Sequence, residues 1–182
     1  MRLPASICGI YGLKTTYGLV STHGIFPTAM TLDTASPMAR SVSDLVCMLY
    51  YMAGFDANNP GSLDVSVPNY IYDLNNGIQG IKIGTPAYFL QDLAPDIEIL
   101  FKHAMETLLY LGAEIVDVEI PELALSTFSG YTIAAGEAAA LHHQWLQTHS
   151  NEYSADIRSF FLAGALTETP QYIRRSRPGD NW

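Results

Sequence analysis

The sequence is short of charge. Only 15% of its 182 residues are charged and 48% are apolar, whereas a typical soluble domain carries about 25% charged residues. Two readings fit this deficit: apolar surface that other protein must cover, or a compact and well-buried domain. Basic residues are the scarcest, nine Lys and Arg against 18 Asp and Glu, for a net charge of −9. That balance argues against a nucleic-acid binder, which relies on Lys and Arg to neutralise phosphates. The one basic cluster, Arg174, Arg175 and Arg177, is too short for such a footprint and reads as a solvated helix face. Cysteine is nearly absent. Cys8 and Cys47 lack metal-binding spacing, and two thiols without a disulfide framework suit a reducing cytoplasm. No apolar run reaches the ~18 to 20 residues of a membrane helix. The longest, Leu45 to Phe55, reads as a buried helix, and Met1-Arg2-Leu3-Pro4 lacks the apolar segment of a signal peptide.

What is present falls into two styles of chain. Residues 1–40 are rich in Gly, Pro, Thr and Ser and predict tight loops and short strands, the kind of segment that carries function on a rigid frame. Residues 41–53 predict a helix. Ser41 is a good N-cap with Asp44 three positions on, and Leu45, Met48, Leu49 and Met52 form one apolar stripe read as core. Gly54 ends it. After a polar connection over 55–79, Ile81 to Gly84 predicts a strand, Pro95 to Leu111 a helix stopped by Gly112, and Glu114 to Ile120 a second strand. This β-α-β unit, at about 80–120, implies two parallel strands and an α/β protein. Leu123 to Gln147 reads as one helix whose run of alanines allows close approach to neighbours. Tyr153 to Leu162 and Gln171 to Arg175 read as two more. Two strands are marginal as a sheet, so further strands are expected from sequence outside this chain.

An ordered series of motifs then points to a family. The chain reads Met1-Arg2-Leu3-Pro4-Ala5, Cys8-Gly9, and Gly12-Leu13-Lys14-Thr15-Thr16-Tyr17-Gly18. Next come Leu32-Asp33-Thr34-Ala35-Ser36-Pro37-Met38-Ala39-Arg40-Ser41-Val42 and Ala53-Gly54-Phe55-Asp56. This series resembles the amidase-signature family. There, Gly-Gly-Ser-Ile-Arg-x-Pro-Ala precedes Cys-Gly, Gly-Leu-Lys-x-Thr-x-Gly and Ser-Leu-Asp-x-x-Gly-Pro-Met-Ala-Arg-Ser-Val. Weaker similarity runs to about residue 177, including Glu137-Ala138, Tyr153, Arg158, Gly164 and Tyr172-Ile173. The resemblance implies an α/β fragment of the amidase-signature fold, a mixed sheet flanked by helices. It spans residues 1–177 as a partial domain, with 178–182 a divergent tail.

The resemblance also implies chemistry. The family cleaves amides with a nucleophilic serine, a second serine on a cis peptide bond and a neutral lysine. Serine needs an adjacent base to attack at neutral pH, and lysine serves only when burial or nearby charge depresses its pKa. By this likeness the nucleophile falls immediately before Met1, and the other two groups and the oxyanion-hole glycines fall earlier. Lys14, Lys82 and Lys102, the only lysines, match none of these positions. The chain alone is therefore expected to be inactive and to contain no catalytic residue. Three residues are expected in the active-site neighbourhood: Arg2 as a brace, Cys8 as a small buried packing residue and Asp33 as the anchor of a loop. Ser36 stands where the family has glycine, which is strained if that backbone has positive φ. The family needs no cofactor or metal. Its implied partners are a small amide substrate and either further copies or amidotransferase subunits, with no direct nucleic-acid or membrane contact.

Rival chemistries fare worse. Gly9, Gly12, Lys14 and Thr15 do not have phosphate-loop spacing, and no Gly-x-Ser-x-Gly elbow exists. Glu137, His142 and His143 could be imagined as metal ligands. Adjacent helical residues point about 100° apart, so the histidines read as a polar helix face. Two functional readings remain beside a non-enzymatic remnant: an amide hydrolase, or the amidotransferase component that releases ammonia from glutamine or asparagine for tRNA-linked amidation.

Overall fold

A computed structural model describes residues 2–176. The tail at 178–182 lies outside the described residues, as do Met1 and Arg177. The chain opens with a short helix, α1 (Arg2–Ile7), then β1 (Tyr11–Gly12), which pairs antiparallel with β2 (Met38–Ala39). Between these two-residue strands the chain makes the long loop that the Gly- and Pro-rich composition predicts.

Helix α2 (Val42–Met52) starts as predicted. Ser41 is its N-cap, and the Ser41 hydroxyl accepts from the Asp44 N–H at 3.1 Å. Its apolar stripe is only half core. Leu45 and Leu49 are buried, whereas Met48 and Met52 are 42% and 37% exposed. Leu49 packs into a small cluster with Leu19 and Val20, with Leu13, Ala35, Ala53, Val67 and Tyr70 around it.

The β-α-β unit forms as expected. Strands β3 (Lys82–Pro86) and β4 (Glu114–Val118) pair in parallel from Lys82↔Glu114 to Pro86↔Val118, with α3 (Pro95–Tyr110) between them. Gly112 takes φ +91 just after α3, a turn that a side chain would strain. Ala113, just before β4, is buried, whereas β3, α3 and β4 themselves bury no residue fully and Tyr110 is 90% exposed. The described strands form two separate two-stranded sheets.

The predicted helix over Leu123–Gln147 is two helices. Helix α4 (Leu123–Leu141) stops at His142, and α5 (His143–Thr148) begins at once. His142, at the break, is 2% exposed and bonded to Pro27 and Tyr153. Helix α6 (Ala155–Ala165) and α7 (Thr169–Ser176) pack on α4. The alanine run does what its size allows: Ala135, Ala138 and Ala139 are buried, and a Cβ on Gly164 would sit 1.9 Å from the Ala135 carbonyl oxygen. No helix among the described residues is long and apolar enough to cross a membrane.

Candidate active-site surroundings

The signature segment folds into a loop held by its own polar side chains. The Asp33 carboxylate accepts from the N–H groups of Thr28 and Ala29 at 2.8 and 3.0 Å, so Asp33 anchors this loop. Tyr17 donates its hydroxyl to the Met30 carbonyl at 2.7 Å. Ser36 is buried, and its hydroxyl accepts from the Thr15 N–H at 3.1 Å. Among the described residues Asp92 is the one non-glycine with positive φ, so Ser36 is unstrained. The serine hydroxyl thereby satisfies a buried backbone donor.

Asp56, at the far side of the same region, accepts from Ser21 at 2.6 Å and from the Asn58 N–H at 2.9 Å. The Ser21 bond first, then the Asn58 N–H, holds its carboxyl below the usual carboxylate range.

A second knot joins the loop to the helices. Glu137 on α4 accepts from the Thr31 N–H at 2.9 Å, from the Thr31 hydroxyl, and from the Tyr172 hydroxyl at 2.8 Å. Partial burial pushes the Glu137 carboxyl up, but these three donors outweigh it and leave the pKa below the ordinary glutamate value. The Tyr172 phenol is raised above its usual pKa, first because its hydroxyl donates to this carboxylate and needs its proton to do so, then by partial burial and by the repulsion two adjacent anions would feel. Glu137 is thus a structural acceptor. No group of three His, Cys, Asp or Glu residues that could hold a metal ion exists among the described residues.

His142 is the largest departure from the sequence reading. It is buried rather than part of a polar face, with Nε2 2.9 Å from the Pro27 carbonyl oxygen and Nδ1 2.9 Å from the Tyr153 hydroxyl. A carbonyl only accepts, so the Nε2 position carries a proton, and in the neutral ring Tyr153 donates to Nδ1. The Phe161 ring packs against it at 4.7 Å. Nothing local marks this role. The signal in the sequence is weak: a histidine within an alanine-rich helix, followed by aromatics at Trp145 and Tyr153.

The three residues expected near the active site are placed differently from one another. Asp33 lies in the loop with its anchoring bonds. Arg2 is exposed on α1, and the Asp33 carboxylate bonds run to Thr28 and Ala29 rather than to it. Cys8 corrects the expectation of burial, because it is exposed in the turn after α1. Only Ala5 of α1 is buried, so the helix presents its other sides to solvent and carries Cys8 with them. All three lysines are also exposed. Lys14 donates to the Thr15 carbonyl, Lys82 faces Glu114 at 3.9 Å and Lys102 pairs with Glu98 at 2.7 Å.

Helices around small two-stranded sheets, preceded by a hydrogen-bonded signature loop, define an α/β segment of amidase-signature type. A sequence profile of the family "Amidase" matches residues 1–174. The chain belongs to the amidase family. It is 36% identical over 179 residues to an amidase of Pseudomonas putida, covering 97% of this chain and 38% of that protein. It is 43% identical over 141 residues to the A subunit of glutamyl-tRNA(Gln) amidotransferase from Zymomonas mobilis, covering 77% of this chain and 29% of that one. Among solved structures it resembles a chain from a vestigial protein complex bearing on the evolutionary origins of an s-triazine catabolic enzyme. The TM-score there is 0.88 at 30% identity, with 97% of this chain and 38% of that chain covered. It also resembles the A subunit of the Thermotoga maritima glutamyl-tRNA(Gln) amidotransferase, with a TM-score of 0.72 at 27% identity, covering 95% of this chain and 36% of that one. The chain therefore spans well under half the length of these relatives.

Proposed function

We propose that this chain is the central part of an amide-bond hydrolase and that it turns nothing over by itself. The observation that carries the hydrolase reading is its 36% identity to an amidase across 97% of the chain. In this reading residues 1–177 are a partial amidase domain. The nucleophilic serine, the second serine and the lysine base belong to sequence before Met1, and Arg2, Cys8 and Asp33 border the site they form. The engagement of Lys14 by the Thr15 carbonyl, of Lys82 by Glu114 and of Lys102 by Glu98 supports it, since none of the three is hydrogen-bonded to a serine among the described residues.

The whole protein would bind a small amide in the cytoplasm, where the free thiols of Cys8 and Cys47 are compatible with reducing conditions. It would need no cofactor and no direct contact with nucleic acid. Its protein partners would be further copies or amidotransferase subunits. The second reading, a piece of a tRNA-dependent amidotransferase, is favoured by the higher identity, 43%, over 141 residues.

The test pairs the isolated chain with a chimera in which residues 1–174 replace the matching segment of the Pseudomonas putida amidase. The expected result is no hydrolysis of a simple aryl amide by the chain and clear hydrolysis by the chimera. Turnover by the chain alone would sink the proposed inactivity. A chimera that releases ammonia from glutamine but leaves aryl amides intact would favour the amidotransferase reading.

A further inference from the structure

Beside the buried His142 lies a solvent-open cavity of about 400 Å³, lined by Phe26, Trp145, His149, Glu152 and Tyr153. Phe26 comes from the signature loop, Trp145 from α5, and Glu152 from the short 3-10 turn Ser150–Glu152 that follows it. The Phe26 and Trp145 rings lie parallel, 8° apart in plane and 5.2 Å between centroids. They remain 62% and 48% exposed. The His142 ring braces both, at 5.1 Å from Phe26 and 5.7 Å from Trp145. Because His142 is itself tied to Pro27 and Tyr153, the aromatic wall is held in place before any ligand arrives.

Glu152 is the one acidic residue of the lining, and no ion pair among the described residues engages it. Aromatic faces carry negative potential and attract a cation within about 6 Å of the ring. The Glu152 carboxylate adds a full negative charge, and the net charge of −9 raises the local concentration of cations. An anion is repelled by both features, and a neutral apolar molecule gains from only one. A bare metal ion is poorly served, because Glu152 and His149 are the lining's acidic and imidazole groups and no group of three His, Cys, Asp or Glu that could hold a metal exists among the described residues. The geometry points to a binding site for a small organic cation of the alkylated ammonium class. The cavity is within the roughly 300 to 1,000 Å³ typical of small-molecule sites. This inference concerns the cavity as this chain forms it, and none of the five lining residues is asked to do chemistry in the amidase reading.

The test uses the full chain with Trp182→Phe, which leaves Trp145 as its only tryptophan. Choline is the cationic probe and 3,3-dimethyl-1-butanol its neutral isostere. The expected result is a saturable change in Trp145 fluorescence with choline, with the alcohol at least about tenfold weaker. Glu152→Gln should weaken choline by about fivefold, and Phe26→Leu, which keeps apolar bulk but removes the ring, by about fivefold. Both sites are exposed, and helical circular dichroism checks that the variants fold. Saturation transfer to the choline methyl protons, read on the unsubstituted chain, gives a second measure. All binding is read on the monomer isolated by size exclusion at low temperature with its helical circular dichroism intact; there, equal binding of alcohol and choline overturns the site, as does an unchanged affinity in Glu152→Gln or the absence of saturable binding by both measures.

Discussion

Single residues here do work that their types leave ambiguous. Ser129 on α4 has a buried hydroxyl without a hydrogen-bond partner among the described residues. A buried polar group left unpaired costs about 1 kcal/mol or more, so Ser129→Ala should stabilise the fold by about that amount. The check is an upward shift of the midpoint for thermal loss of helical circular dichroism. His142 is the opposite case. Both ring nitrogens are satisfied, and His142→Ala strands the Pro27 carbonyl and the Tyr153 hydroxyl while opening a cavity against Phe161. A loss of about 3 kcal/mol is expected. Hydrogen exchange around residues 26–33 should accelerate in that variant, because the tether to the loop is gone.

At the scale of elements, the packing of α4 decides most of what is ordered in the second half of the chain. Its close approach to α6 depends on Gly164, where an added Cβ would collide with the Ala135 backbone. Gly164→Ala should therefore cost at least about 2 kcal/mol, seen as a lower denaturation midpoint, whereas the same change at the open position Gly130 meets nothing within 4 Å. Glu137 links α4 to the signature loop and to α7, and its linkage to pH has a definite sign. Its folded pKa is depressed below the ordinary 4.5. Its contribution is thus fully present above about pH 5 and is lost as pH falls through the folded value. Tyr172, raised above 10.0, contributes below about pH 10 and loses that contribution as pH rises through its folded value. Glu137→Gln should flatten the acid limb of the stability profile, measured as denaturation midpoints between about pH 3 and pH 6.

The whole molecule exposes an unusual amount of apolar surface. Ile7, Tyr51, Tyr72, Tyr110 and Leu166 are each at least 78% exposed, and the β-α-β unit buries almost nothing. A two-stranded sheet without cover is marginal in water. The isolated chain is therefore expected to lose structure over a broad thermal range and to self-associate. Calorimetry and light scattering check this, and one sharp transition from a monodisperse monomer would contradict it. The chimera should unfold more sharply than the isolated chain, because the Pseudomonas putida sequence around the segment adds apolar neighbours that the isolated chain lacks.

The family, the cap at Ser41, the β-α-β order and the close-packing alanines are legible in the sequence because each rests on local spacing or on an ordered run of motifs. Asp33 is legible as a loop anchor only through the family motif it sits in; its partners are the Thr28 and Ala29 N–H groups. Burial is not local. His142 is drawn in by Pro27, 115 residues earlier, and Glu137 is claimed by Thr31 across 106 residues. Cys8, Met48 and Met52 look like core residues by type and face solvent because no described element covers them. Composition and periodicity determine which segments form helices and strands. Only the tertiary arrangement decides which faces find a partner, because burial depends on segments that sequence spacing does not bring together.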